Sequence, residues 1–227
     1  MDKYKGILSE STSKSRGLRG TYIFNEIIVF VKDPLPKNFN LDFVIRKIEE
    51  IIPYSLIYDL DAVYIGQFEF LNKKNYTATY MDNALYVTNE QESEKGMIHD
   101  FIHEIAHSIE ENNYSEIYSD LRLENEFLKK RRQLESVLGT NGYRPPPMLM
   151  RQAEYNPYLD QFFVKTVGYP LLTTLINGIF NSPYAATSLR EYFARGFEEY
   201  MMGKKHKLQK NSPVLYDKLE ELIQEDY

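Results

Sequence analysis

Apolar and polar positions follow two rhythms along this chain, and the rhythm changes near residue 93. The run Ile27-Ile28-Val29-Phe30-Val31, inside 21–31, is β-branched and aromatic and predicts a strand. Pro34 and Pro36 end it. Over 38–52 the apolar residues Leu41, Phe43, Val44, Ile45, Ile48, Ile51 and Ile52 recur at helical spacing, and Pro53 closes that helix. Segments 62–71 and 76–88 return to β-rich composition. Asp82-Asn83 is a turn dipeptide that divides the second into a predicted hairpin.

From residue 93 the period is helical. Met97, Ile98, Phe101, Ile102, Ile105 and Ile109 form one apolar face of a helix expected over 93–111. A second helix is expected over 115–137. A loop over 139–148 follows, containing Pro145-Pro146-Pro147. Residues 161–180 predict a buried helix or helix pair, interrupted near Gly168 and Pro170. An amphipathic helix over 188–202 and a short one over 214–224 complete the chain. The fold class is therefore α+β: a small mixed β-sheet with one helix in the N-terminal half, and a mostly helical C-terminal half. Residues 1–20 are polar and predict a loose arm. No internal repeat is visible.

Of 227 residues, 43% are hydrophobic and 26% charged, the balance of an ordinary globular chain able to bury a sizeable core. A net charge of −6 argues against general nucleic-acid binding. The run Lys129-Lys130-Arg131-Arg132 is read as a solvated helix face. No stretch reaches the roughly 18 apolar residues a membrane span needs. The N-terminus has no apolar h-region, so the expected location is the cytoplasm of the producing cell, with release by another route open. With no Cys, any metal must be held by His and carboxylate ligands.

The chemistry concentrates in His103-Glu104-Ile105-Ala106-His107, an H-E-x-x-H motif in a chain with four histidines. On a helix, positions i and i+4 share one face, so both imidazoles can reach a single zinc ion. Glu104 beside them can take a proton from a zinc-bound water. Catalytic zinc usually has three protein ligands. His99 continues the i+4 ladder, but lies about 12 Å from His107 along the axis, too far to share one tetrahedral ion. The extended H-E-x-x-H-x-x-G-x-x-H pattern fails, because Glu110 and Asn113 occupy the Gly and His positions. That leaves a later carboxylate: Glu116, Glu124, Glu126, Glu154, Asp160, Glu191, Glu198 or Glu199.

The segment Glu191-Tyr192-Phe193-Ala194-Arg195-Gly196-Phe197, with Tyr184 seven residues ahead of it, resembles the glutamate helix of the anthrax lethal factor family of zinc metallopeptidases, which includes the Pro-Pro endopeptidases. The resemblance covers roughly residues 60–110 and 180–202. It implies a zincin-like fold with a single catalytic domain over 21–227, sheet-rich over 21–92 and helical over 93–227. It implies one Zn2+ per chain held by His103, His107 and Glu191, Glu104 as general base, and Tyr184 as the phenol that hydrogen-bonds the developing oxyanion. The implied activity is that of a gluzincin-type endopeptidase acting on a protein or peptide substrate, with segment 84–88 as the edge strand that substrate extends. The gap of 84 residues from His107 to Glu191 is long for this family, and marks 112–160 as an expected insertion. The alternative is a catalytically silent zincin-fold protein with a binding or structural role, for instance in a phage or toxin assembly.

Overall fold

Helical and extended periods separate along the chain as the sequence predicts, and the chain folds as two compact units, Met1–Ser108 and Ile109–Tyr227. The computed structural model describes residues 21–224, and the arm expected over 1–20 lies outside them. No helix among the described residues is long and apolar enough to cross a membrane.

The first unit holds strands β1 (Thr21–Ile23), β2 (Ile27–Val31), β3 (Ala62–Ile65), β4 (Ala78–Met81) and β5 (Ala84–Val87), with helices α1 (Leu41–Ile51) and α2 (Glu69–Lys74). The sheet is mixed, in the order β1-β2-β3-β5-β4. β2, β3 and β5 run parallel, and antiparallel β1 and β4 form the two edges. Register aligns Val29, Val63 and Leu85 in one row, and Ile65 with Val87 in the next. All five are buried, as parallel central strands require. On the opposite face Phe30, Tyr64 and Tyr86 stack across the same three strands, with ring centroids 5.2 and 5.1 Å apart.

Two local expectations change here, and one strand gains a hairpin partner. The expected strand forms over Ile27–Val31, and β1 pairs with it in a hairpin whose turn residues Phe24 and Asn25 both have positive φ (53° and 59°). Phe24 is not a turn-forming residue type; its N–H is held by Glu49 Oε1 at 2.6 Å, a contact invisible in the sequence. Segment 62–71 is a strand only to Ile65. The chain then passes against β2 at Gly66, where a Cβ would sit 2.8 Å from Asp33 Oδ2, and enters α2. The hairpin at Asp82-Asn83 forms, with φ of 52° and 57° at its two centres, the geometry of a type I′ turn. It places β4 at the sheet edge, so the segment 84–88 is not the edge strand: β5 is paired on both sides.

Helix α3 (Glu94–Asn112) crosses the boundary between the units, which falls after Ser108. The second unit continues with α4 (Tyr114–Tyr118), α5 (Arg122–Thr140), α6 (Pro147–Met150), α7 (Pro157–Gln161), a π-helical turn (Phe162–Val167) and α8 (Tyr169–Leu175). A 3-10 turn (Tyr184–Ala186), α9 (Leu189–Met201), α10 (Lys205–Asn211) and α11 (Pro213–Gln224) follow. The helix expected over 115–137 is two helices, broken at Leu121 with φ 59°. The 161–180 segment breaks at Gly168, φ 83°, close to where the sequence places the interruption.

Half of the basic run on α5 contradicts its reading as a solvated face. Lys130 is 5% and Arg131 0% exposed. Lys130 Nζ donates to Ile179 O and Asn211 O, both at 2.6 Å, and Arg131 donates to Leu149 O at 3.0 Å and Thr187 O at 2.6 Å. These carbonyls supply the hydrogen-bond acceptors that a buried cation needs in place of water. α9 packs on α11 at Gly196, where a Cβ would meet Leu215 Cδ2 at 2.2 Å, so close approach of the helices demands glycine there. Glu126 on α5 accepts from Val214 N–H at 2.9 Å and Leu215 N–H at 3.2 Å, filling the donors at the start of α11.

Candidate metal centre

The helix that carries the H-E-x-x-H motif is fixed at its start by Ser93, whose Oγ accepts from Gly96 N–H at 3.1 Å. Asn40 N–H donates to Glu94 Oε1 at 3.0 Å, tying the same end to the loop before α1. Met97, Phe101, Ile102, Ile105 and Ile109 are at most 1% exposed, so the predicted apolar face is the core face. Burial does not stop at that face. Every residue from 101 to 110 is buried, including His103 (8%), Glu104 (8%), His107 (6%) and Glu110 (7%). Buried polar groups demand partners, and in this stretch they include two imidazoles and two carboxylates.

His103 and His107 lie one turn apart on one face, with ring centroids 4.9 Å apart and planes at 87°. Glu104 is set by the sheet: Tyr80 N–H donates to Glu104 Oε2 at 2.7 Å. The direction of that bond follows from the ladder. Thr88 N–H donates to Thr77 O, so odd-numbered residues of this strand address β5 while Ala78 and Tyr80 direct their backbone groups outward from the edge. The carboxylate of the motif is thus held by an edge-strand amide.

Glu191 sits in the first turn of α9. Ser188 is the N-cap, its Oγ accepting from Glu191 N–H at 3.1 Å, and Leu189 N–H donates to Ala153 O at 2.8 Å. Tyr192, Phe193, Ala194 and Phe197, each at most 1% exposed, pin the helix to its unit. Among the described residues, His103, His107 and Glu191 form the group that could hold a metal ion: each offers one ligand atom, and these atoms lie within 4.8 Å of one another. Two imidazole nitrogens and one carboxylate oxygen match the donor set of a catalytic zinc site. His99, half-buried on the same helix, is not a member of the group.

Several rival carboxylates are engaged elsewhere. Glu126 caps α11 and accepts from Tyr192 Oη at 2.9 Å. Glu198 pairs with Arg195 at 2.7 Å, and Glu199 with Lys207 at 3.0 Å. Asp160 accepts from Tyr155 Oη at 3.1 Å.

Tyr184 begins the 3-10 turn that leads to the Ser188 cap. Its carbonyl accepts from Thr187 Oγ1 at 2.7 Å and Thr187 N–H at 2.9 Å. Arg195 Cζ lies 5.7 Å from its ring centroid, and Arg131 holds the same segment through Thr187 O. Burial of the Arg131 guanidinium lowers its pKa to about 10, still charged at neutral pH.

Four residues beyond the motif escape sequence reasoning. Tyr80 orients Glu104 through its backbone, which no side-chain pattern encodes. Glu110, Tyr118 and Arg190 form a cluster in the second unit, the first two buried and Arg190 exposed: Tyr118 Oη donates to Glu110 Oε1 at 2.6 Å, and Arg190 Nε lies 3.5 Å from Glu110 Oε2. Only the acid on the motif's own helix face, seven residues after His103, hinted at it. Compared with family models, curated proteins and solved structures, the chain has no match.

Proposed function

We propose that this chain is a zinc-dependent endopeptidase of the gluzincin type, with a zincin-like fold, in which His103, His107 and Glu191 hold one zinc ion. The observation that carries the reading is the convergence of those three ligand atoms to within 4.8 Å, with a motif carboxylate one residue from the first histidine. Zinc held by such a set would supply Lewis-acid chemistry, polarising a bound carbonyl and lowering the pKa of a bound water to about 7. Glu104 accepts the proton from the attacking water and delivers it to the leaving amine. The Tyr80 amide fixes the carboxylate for both transfers. Tyr184 donates its phenolic hydrogen to the oxyanion, and the turn that carries it is anchored through Thr187 and Arg131. An extended substrate would add to the sheet along β4, where the Ala78 backbone groups and the Tyr80 carbonyl face outward while the Tyr80 N–H is held by Glu104. The resemblance to the lethal factor family supports the same assignment of roles.

Metal analysis of the purified protein, joined to a peptide-library digest with and without chelator, tests the reading. The expected result is one zinc per chain and cleavage that chelator abolishes and zinc restores. Failure to take up metal would overturn it. Zinc uptake with no cleavage of any library member would favour the silent alternative.

A further inference from the structure

Glu110 extends the histidine stripe of α3 by one more turn. At 3.6 residues per turn, His103, His107 and Glu110 fall within roughly 60° of one another around the helix axis. The Glu110 side chain is 9% exposed, and its two oxygens have different partners: Tyr118 donates to Oε1 and Arg190 approaches Oε2. Burying a carboxylate is unfavourable unless donors replace its water, so a stripe serving packing alone would carry an apolar residue here. Burial and the Glu110 charge push the Tyr118 phenol well above the ordinary tyrosine value, which keeps it a donor throughout the neutral range. Arg190 is the residue immediately before Glu191, in the first turn of α9. Its side chain is 53% exposed and its distance is 3.5 Å, so the ion pair is weak as a stabiliser. Its value lies in where it fixes the helix start.

We propose that Glu110 is a positioning residue. Braced by Tyr118, it docks the first turn of α9 on the histidine helix through Arg190 and so keeps Glu191 in reach of the two imidazoles. This rests on the zinc reading above and adds to it a residue that never touches the metal. Partners that hydrogen-bond a ligand directly contribute about 10–100-fold in metal affinity, and a contact one residue removed from the ligand belongs at the low end of that range.

Glu110→Gln keeps the size and an oxygen for Tyr118 while removing the charge that meets Arg190. Arg190→Gln removes the other half from an exposed position, and serves if Glu110→Gln does not fold. Zinc affinity is measured on the apo protein by competition with a chromophoric chelator, and coordination by the visible spectrum of the Co2+ form. Each variant should bind zinc about tenfold more weakly with a shifted Co2+ spectrum, the double variant should be no worse than either single one, and Arg190→Lys should recover part of the loss. A merely structural role predicts a lower melting temperature with unchanged zinc affinity and spectrum, and that outcome overturns the proposal. His103→Ala separates the two levels. If it abolishes zinc binding while both Gln variants bind normally, the positioning role alone is wrong. If it binds zinc like the wild type, the zinc reading fails and the positioning role with it.

Discussion

Glu104 carries two loads, and a pair of substitutions separates them. Its Oε2 accepts the Tyr80 N–H at 2.7 Å, between residues that are 7% and 8% exposed. Glu104→Gln and Glu104→Ala both remove the charge, so any effect of the charge on stability cancels between them. Glutamine retains an oxygen that can accept the Tyr80 N–H and alanine does not. Removing the acceptor from a buried amide costs about 1–3 kcal/mol, and the cavity left by alanine adds to it in the same direction. For a chain of this size 1 kcal/mol is about 2–4 °C, so the Ala variant should melt at least roughly 2 °C below the Gln variant. Glu104→Met, which fills the space without an acceptor, should also stay below Gln. Chemical denaturation in the presence of chelator measures all three without interference from metal. Peptidase activity should fall by about 100- to 10,000-fold in both Gln and Ala variants, the usual contribution of a general base. Equal stability of the Gln and Ala variants would refute the Tyr80–Glu104 bond, and activity within tenfold of wild type in the Gln variant would refute the base.

Tyr184→Phe should retain zinc and lower the cleavage rate about 100-fold, as loss of one oxyanion donor does, and an unchanged rate would remove the phenol from the chemistry. Zinc at a thousand times its dissociation constant should stabilise the chain by about 4 kcal/mol, a rise of roughly 8–16 °C in melting temperature. Glu191→Ala should lose most of that rise, and a full rise in the variant would exclude it as a ligand. Burial, and then the neighbouring Glu110 and Glu126 carboxylates, hold Tyr118 and Tyr192 above the ordinary tyrosine value, and burial with Asp160 pushes Tyr169 up to about 12. A raised folded-state pKa gives stability that is complete below the unfolded value of 10.0 and is lost as pH climbs toward the folded one. The denaturation midpoint should therefore fall above pH 10, with the phenolate absorbance of these tyrosines appearing only on unfolding; a midpoint still level a full unit higher would contradict this.

Elements with a strong period were readable in advance. The apolar stripe of 93–111 became α3 with its predicted core residues buried, and Asp82-Asn83 became a hairpin turn, because each signal is local and complete within a few residues. Misreadings fell where a distant group decided. Segment 66–71 leaves the sheet where Gly66 abuts Asp33, 33 residues earlier in the chain. Lys130 and Arg131 lie inside because the carbonyls of Leu149, Ile179, Thr187 and Asn211 supply the acceptors that burial of a cation requires. Composition describes a charge but not the acceptors waiting for it.

The candidate site divides along the same line. Sequence by itself determined that His103 and His107 share a helix face with Glu104 beside them, because i, i+4 spacing has that consequence on any α-helix. It also restricted the ligand set to nitrogen and carboxylate oxygen, because the chain has no Cys. Which of eight carboxylates stands near the histidines is a separate matter. Helix propensity and periodicity carry no information about contacts 84 residues apart. Tertiary structure decided that Glu191 comes within 4.8 Å, that β4 rather than β5 is the sheet edge, and that a Tyr80 amide holds Glu104. It also placed Glu110, Tyr118 and Arg190 together beside the start of α9. These follow from which apolar faces bury against which, and packing brings polar groups together as a consequence the chain's local rhythm does not record.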